Sequence, residues 1–397
     1  MKRILIVTEV LPPKYGGADI AGFRYAQNLN SRGSQVMLLG SWNDDFKKQK
    51  KDFPFLVAIK YPKLPFSNWR VKRYVDIINF GIAYLFTFFK IWGLRNSFDV
   101  LHSMNSYSYH NLAAISIAKF FGKKVVTESC LLGADDPKTI FKKKQKDWLS
   151  VNSRKRDCYK KADFFIAKSA QNLSWFEGFI PKEKYGFVNT FVDTSKFLPP
   201  QNKESKRLAM DLPRDKKLLI FIGELNRRKG VNLLLETFTN LSKSRKDLFL
   251  LLIGPSAKND QEFTSELQSQ MQQLNSNHYL HINKVISNVH DYLPCADILI
   301  LPSFREGFPN VVIEAMSSGV IVLASDIPEI KNAQIQHGKN GFLFKTGDQQ
   351  DLEHQLASII ENLDSLDEFK TTVSKEAHNK YSIEVIADKY QQIYKSL

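Results

Sequence analysis

Ser303-Phe-Arg-Glu306-Gly-Phe-Pro309-Asn-Val-Val-Ile-Glu314-Ala-Met-Ser-Ser-Gly319 is the stretch on which the fold turns. It follows a short apolar run, Asp297–Leu301, and its own apolar spacing predicts a helix. Pro309 suits the first helical position, where a missing N–H costs nothing, and Gly319 suits the residue past the helix end. Strand, loop and helix in that order are the unit of a parallel α/β sheet. The helix start offers free N–H groups and the positive end of the peptide dipoles, a seat for phosphate or sugar hydroxyls. Glu306 lies in the loop and Glu314 about one turn into the helix, so two carboxylates can accept hydrogen bonds from a polyol there. Either glutamate alone reads as a solvated side chain or a charge matched to the dipole. The whole segment does not.

A second segment of the same kind lies upstream: Gly223-Glu-Leu-Asn-Arg227-Arg228-Lys229-Gly230, between an apolar run and a helical pattern. Cations at a helix start can hold a diphosphate and neutralise a departing nucleotide. Alone, the segment is equally a basic surface turn. It is not a P-loop, because the GxxxxGK[ST] spacing is absent.

Around these segments the chain reads as two βα series. In the first, strands are predicted at Arg3–Val10, Gln35–Ser41, Asp99–Met104, Lys124–Ser129 and Asp163–Lys168, with a helix near Asp19–Ser31. The polar stretch from Pro199 to Lys206 reads as a linker. Strands are then predicted at Leu218–Ile222, Leu248–Ile253, Tyr279–Ile282, Asp297–Leu301 and Val320–Ala324, with a helix over Gly230–Lys243. The expectation is two Rossmann-like domains with parallel sheets facing a central cleft, ligands binding at the carboxyl ends of the strands.

The 397 residues are 43% hydrophobic and 24% charged, ordinary for a globular protein with two or three domains. Cys130, Cys158 and Cys295 are too scattered for a disulfide framework or a zinc site. The N-terminus runs straight into a strand, which predicts no secretory leader and a cytoplasmic protein. The net charge of +15 is unevenly placed. Residues 1–198 hold 33 Lys and Arg against 16 Asp and Glu, a balance of +17, while residues 199–397 balance at −2. A basic half can face nucleic acid, an anionic membrane or an anionic substrate; no nucleic-acid-binding motif appears.

From Leu218 to about Phe344 the chain resembles the nucleotide-binding domain of retaining glycosyltransferases of family 4, which have the GT-B fold. The features that carry the resemblance are the Gly223 to Lys229-Gly230 turn, Ala296-Asp297, Pro302-Ser303, the Glu306/Glu314 E-x7-E pair and Gly338-Lys-Asn-Gly341. Upstream, Asn189-Thr-Phe-Val-Asp193 with Phe197 looks like the family's linker motif, and Pro12 through Gly17 like its first glycine loop. Tyr381-Ser382 and the residues from there to Leu397 resemble its C-terminal helix. The resemblance implies an acceptor-binding domain at 1–198, a nucleotide-sugar-binding domain at 199–380, and a helix at 381–397 that crosses back onto the first domain. It implies that Arg228 and Lys229 clamp the donor diphosphate, that Glu306 binds the donor sugar, and that Glu314 binds the ribose. Gly307, Phe308, Pro309, Asn310 and Val311 would contact sugar and phosphate, and Gly16 and Gly17 would let the backbone approach the donor. Catalysis would rest on Glu306, Arg228 and Lys229, with no cofactor and no metal, in keeping with the lack of an Asp-x-Asp motif. Two positions depart from the family. Glu224 follows Gly223 where many members have Arg, which leaves the cations to Arg227, Arg228 and Lys229. Glu128 or Ser129 stands where many members carry a His near the donor sugar; His102 or His110 could substitute for it spatially, but a lone His there is more often a polar residue near a cleft.

The expected activity is transfer of a hexose, weakly favouring a UDP donor, to a glycan or lipid-linked acceptor in bacterial surface polysaccharide or lipopolysaccharide synthesis. Alternatives are an inactive GT-B nucleotide-binding scaffold and a nucleotide-sugar epimerase. Partners would then be the donor and the acceptor, with no nucleic acid. Ile77–Phe89, a run of 13 residues, reads as too short to span a membrane and, alone, as a buried core helix. Aromatic residues beside Lys142–Lys146, Arg154–Arg156 and Lys160-Lys161 nonetheless suit an anionic bilayer surface. Peripheral contact with the inner face of the plasma membrane is the corresponding expectation.

Overall fold

The computed structural model describes residues 2–11, 17–65, 72–106, 108–129, 136–142, 151–257, 260–274, 278–331 and 333–397. From the N-terminus the chain forms β1 (Ile4–Val10), α1 (Gly17–Ser31), β2 (Val36–Ser41), α2 (Phe46–Asp52), β3 (Leu56–Ile59), α3 (Lys72–Leu94), β4 (Val100–Ser103) and α4 (Tyr109–Phe120). It continues through β5 (Lys124–Ser129), α5 (Pro137–Lys142), α6 (Val151–Tyr159), β6 (Phe164–Ala167), β7 (Tyr185–Phe187) and α7 (Lys203–Ala209). Then come β8 (Lys217–Ile222), α8 (Val231–Ser244), β9 (Leu248–Ile253), α9 (Gln261–Gln273), β10 (Tyr279–Ile282), α10 (Val289–Tyr292), β11 (Ile298–Leu301) and α11 (Asn310–Ser317). The last elements are β12 (Ile321–Ser325), β13 (Phe342–Phe344), α12 (Gln349–Glu361), α13 (Asp367–Tyr381) and α14 (Ile383–Ser396).

These elements make two compact units, one of Met1–Thr190 with Ile383–Leu397, the other of Phe191–Ser382. The sequence reading places 191–198 in the first domain. In the structure Val192 and Phe197 are fully buried in the second unit's core, and Val192 N bonds Tyr381 O at 2.8 Å. Hydrophobic burial and backbone pairing draw that segment across.

Each unit has one parallel sheet, ordered β3-β2-β1-β4-β5-β6-β7 in the first and β10-β9-β8-β11-β12-β13 in the second. Neighbouring strands need a crossover, and helices supply it, covering both sheet faces. In the second unit Leu218 and Ile220 face one core with Val312 and Val373, while Leu219 and Phe221 face the other with Leu234, Phe263 and Leu356. In the first unit Leu5, Leu101 and Val125 pack with Phe80, Ile91 and Leu112. The strand order reverses between β1 and β4 and between β8 and β11, and crevices form at such switch points beyond the carboxyl ends of the strands.

Two helical expectations are corrected. Pro309 caps α11 from outside, in extended backbone, and Asn310 is the first helical residue. The apolar run Ile77–Phe89 is the middle of a longer helix, α3, of 23 residues. Its polar residues do not end it, because the Asn79 amide bonds Leu64 through both N and O, and Thr87 Oγ1 donates to Ala83 O. Nor is α3 a fully buried core helix. Phe80, Ala83, Thr87 and Ile91 are buried, while Tyr74, Ile78, Leu85, Phe86, Phe89 and Trp92 are exposed.

Candidate active site

Two loops leave the carboxyl ends of the adjacent strands β8 and β11, where the order of the second sheet reverses. The first is Gly223 to Gly230. Asn226 caps its short 3-10 turn, its side chain accepting from Lys229 N at 3.0 Å. Gly230 ends the turn at φ +64°, and a β-carbon there would sit 2.1 Å from Pro302 O. Only glycine allows both the left-handed backbone and the close approach of the second loop. Phe304 N bonds Arg228 O at 2.9 Å and fixes the two loops together.

The side chains converge across this seam. Lys229 Nζ lies 2.6 Å from Glu306 Oε1, and Arg228 lies 3.2 Å from Glu306 Oε2 while also donating to Arg305 O at 2.7 Å. Ser303 Oγ completes the set, donating to Glu306 Oε1 at 2.7 Å. Burial alone would raise the pKa of Glu306, but attraction to Lys229 and Arg228 and the Ser303 bond outweigh it and hold it below the usual carboxylate range. One buried carboxylate thus orders two cations and leaves a net positive charge. Arg228 is about a third exposed, so it can meet an anion arriving at the crevice. That charge balance suits a diphosphate.

Arg227 departs from expectation. It pairs with Asp260, Glu262 and Glu266 and lies over the Phe263 ring, so α9 holds it. The cation supply of the turn is Arg228 and Lys229. Gly307, Phe308, Pro309 and Val311 are buried around the start of α11, and Gln334 Nε2 donates to Pro309 O at 3.0 Å from inside. Asn310 and Glu314 are half-buried on α11, Glu314 as its fifth residue. Gly319 follows the helix at φ +70°. Sequence reasoning misses both the Asn226 cap and the Gln334 strut. The first is visible as an Asn three residues before Lys229; the second, 25 residues from its partner, carries no sequence signal.

In the first unit Gly17 opens α1 after β1, and Gly16 lies outside the described residues. Glu128 is fully buried. Its carboxylate meets Lys168 and the Tyr390 hydroxyl, with His102 Nε2 at 3.2 Å. Burial pushes its pKa up, but the Lys168 charge and the His102 contact prevail and bring it down to about 2. Ser129 Oγ bonds the Tyr159 hydroxyl at 3.0 Å. His110 bonds Thr8 O at 2.8 Å and the Tyr61 hydroxyl at 3.1 Å, and burial lowers its pKa to about 4. Both histidines are buried and bonded within the first unit. Of the basic tract, residues 143–150 lie outside the described residues.

Comparison with known proteins agrees with this architecture. Residues 202–376 match the family model of glycosyl transferases group 1. Over its full length the chain resembles the N-acetyl-alpha-D-glucosaminyl L-malate synthase of Bacillus anthracis, at 22% identity across 96% of this chain and 94% of that one. It also resembles the N,N'-diacetylbacillosaminyl-diphospho-undecaprenol alpha-1,3-N-acetylgalactosaminyltransferase of Campylobacter jejuni, at 24% identity across 96% of each. Among solved structures, Anabaena HepE in complex with UDP and glucose superposes with a TM-score of 0.77 at 16% identity, covering 100% of both chains. WaaG, a glycosyltransferase involved in lipopolysaccharide biosynthesis, gives 0.71 at 16% identity, covering 97% of this chain and 98% of that one.

Proposed function

We infer, from the premise that this chain is a family-4-like glycosyltransferase of GT-B fold, that it moves a hexose from a UDP-sugar to a glycan or lipid-linked saccharide with retention of configuration. The observation that carries the reading is the convergence of Arg228 and Lys229 on Glu306 at the switch point between β8 and β11. As the bond between the anomeric carbon and the diphosphate oxygen breaks, its electron pair goes to that oxygen. Arg228 and Lys229 stabilise the growing charge, and the N-terminus of α11 adds its dipole. The acceptor hydroxyl bonds to the anomeric carbon from the face the diphosphate leaves. Its proton passes to the departing phosphate oxygen. Glu306 orients the clamp and the sugar, and Glu314 takes the ribose hydroxyls. The clamp supplies the positive charge that a divalent metal would otherwise bring, so EDTA should leave transfer intact; a loss of activity restored by added metal would refute this.

The UDP preference draws on HepE, whose complexes hold UDP, and the lipid-linked acceptor on the Campylobacter relative. A surface-glycan role draws on WaaG, a glycosyltransferase involved in lipopolysaccharide biosynthesis, and an anionic membrane as partner on the +17 charge of residues 1–198. The test is a thermal-shift panel of UDP, GDP, ADP and CMP, followed by transfer assays with the matching sugar nucleotides. At about 100 times Kd the right nucleotide should stabilise the chain by about 2.7 kcal/mol. Stabilisation by none of the four would end the reading; binding without turnover on any acceptor would leave a nucleotide-binding scaffold.

A further inference from the structure

The outer face of α3 is a stripe with no solvent chemistry. Tyr74, Ile78, Gly81, Leu85, Phe89 and Trp92 follow at steps of three or four residues and are exposed, so they line one side of the helix. Leu85 is 54% and Phe89 57% exposed. Phe120, at the end of α4 and 73% exposed, extends the patch beside Phe88, their ring centroids 6.2 Å apart. A soluble surface does not ordinarily gather so many large apolar side chains in one place. The opposite side of α3 packs on α4 and holds the polar residues of the helix, Asp76, Asn79 and Thr87, among Phe80, Ala83 and Ile91, so the uncovered side is the more apolar of the two.

By length and composition Tyr74–Leu94 could cross a bilayer. The topology forbids it. α3 connects β3 and β4, which lie in one parallel sheet, so both helix ends must stay on the side of that sheet. What remains is burial of one face.

Charge decides what covers that face. Cations rim it: Arg95 stacks on Trp92 at 5.4 Å, and Lys63 lies over Tyr61, whose ring neighbours Phe86. Lys90 follows the exposed Phe86 by one turn at the edge of the uncovered side, and α2 presents Lys47, Lys48 and Lys51 to solvent beside Asp44, Asp45 and Asp52. The one acidic residue of α3, Asp76, accepts from the Tyr109 hydroxyl at 2.9 Å. A groove of about 680 Å³ opens from the stripe through Gly81 and Leu85, walled by Phe80, Tyr84 and Phe88 with both Lys161 and Asp157 in its lining. Rings and aliphatic chains flanked by lysines and arginines match the boundary between lipid headgroups and acyl chains.

We propose that α3 and Phe120 are the surface by which this protein lies on an anionic bilayer, α3 parallel to the membrane with its Tyr74-to-Trp92 stripe in the acyl layer and the flanking cations on lipid phosphates. The proposal rests on the membrane part of the function inferred above and not on its sugar chemistry.

The test is flotation of the full chain with vesicles of phosphatidylglycerol and phosphatidylcholine in equal parts, and with vesicles of phosphatidylcholine alone. The wild type should float with the first and bind the second at least about tenfold more weakly, and high salt should release it. L85E/F89E, altered only at exposed positions, should keep its circular dichroism and its transfer to a water-soluble acceptor while losing at least about tenfold in vesicle affinity. Brominated lipid should quench Trp92 fluorescence in a chain whose other tryptophans are replaced by Phe. If the wild type fails to float, the membrane reading itself is wrong. If it floats and L85E/F89E floats equally well, some other surface docks and this assignment is wrong. If the wild type sediments as a dimer that L85E/F89E breaks, and neither binds vesicles, the stripe is an interface between copies and the proposal falls.

Discussion

Arg227, Arg228 and Lys229 are consecutive, yet their side chains serve two structures. Arg227 is bound to the acidic start of α9, and the other two to Glu306. Replacing Arg228 or Lys229 with Ala should therefore lower kcat/KM by about 100- to 1,000-fold, the usual effect of losing one stabilising donor at developing charge. Arg227→Ala should leave it within about twofold, and steady-state kinetics on the three variants decides between this division and a shared clamp. Equal losses at all three would show that the pairing with α9 gives way in the working enzyme. Gly230 is constrained for a different reason. An alanine there meets Pro302 O and must hold a positive φ. The left-handed backbone alone costs about 1–2 kcal/mol, and the overlap adds to it. Gly230→Ala should lower Tm and, by separating the two loops, lower kcat as well. An unchanged Tm would show that the seam between the loops is not rigid.

At the scale of elements, α14 is held by a charged cluster. His102 and Glu128 stand on neighbouring strands and point to the same face of the first sheet, where Tyr390 and Tyr394 of α14 come down on them and Lys168 closes the group. Removing one charge leaves the other buried and alone. Glu128→Gln should cost about 3–5 kcal/mol, and adding Lys168→Met should return much of it. Urea denaturation of the single and double variants measures both. If the double variant is no more stable than Glu128→Gln alone, the pair is not the coupling. The pH dependence follows from the sign of the shift. Glu128 is depressed from 4.5 to about 2 in the folded chain, so its contribution is complete above about pH 4.5 and lost as pH falls through about 2. In Glu128→Gln that window should flatten. None of this is legible in the sequence, because the partners lie as far apart as residues 102 and 394. Glu128 looks there like a candidate for the sugar site. The strands that are legible, such as Leu248–Ile253, are continuous apolar runs buried on both faces. Tyr185–Phe187 and Phe342–Phe344 are not, having three residues each, too few for a pattern to show, and Leu56–Ile59 is missed although strands of the same length, such as Ile298–Leu301, are read. The loops carrying Lys229 and Glu306 can be read because each stands in a local strand–loop–helix segment. Which of three cations faces the site depends on α9, about 33 residues away, and so cannot.

For the molecule as a whole, the division into units makes a prediction about folding. The second unit is entered at Phe191 and left at Ser382, and these ends are paired: Val192 bridges Ser382 and donates to Tyr381 O. It has an apolar core on each face of its sheet and contains Arg228, Lys229, Glu306 and Glu314. A segment with adjacent ends and its own core should fold alone. Residues 191–382 expressed alone should unfold cooperatively and bind UDP, if that is the donor nucleotide, within about tenfold of the full chain. Residues 1–190 should not fold stably, because without α14 the Glu128–Lys168 pair loses the Tyr390 hydroxyl and the cover of two tyrosine rings. Adding a peptide of residues 383–397 should restore cooperative unfolding to the 1–190 fragment at a concentration-dependent Tm. Calorimetry of the three preparations is sufficient. A folded, cooperative 1–190 fragment would mean that the charged cluster is stable without its lid and that α14 is an accessory. A disordered 191–382 fragment would mean that the two cores of the second unit depend on the first for their stability.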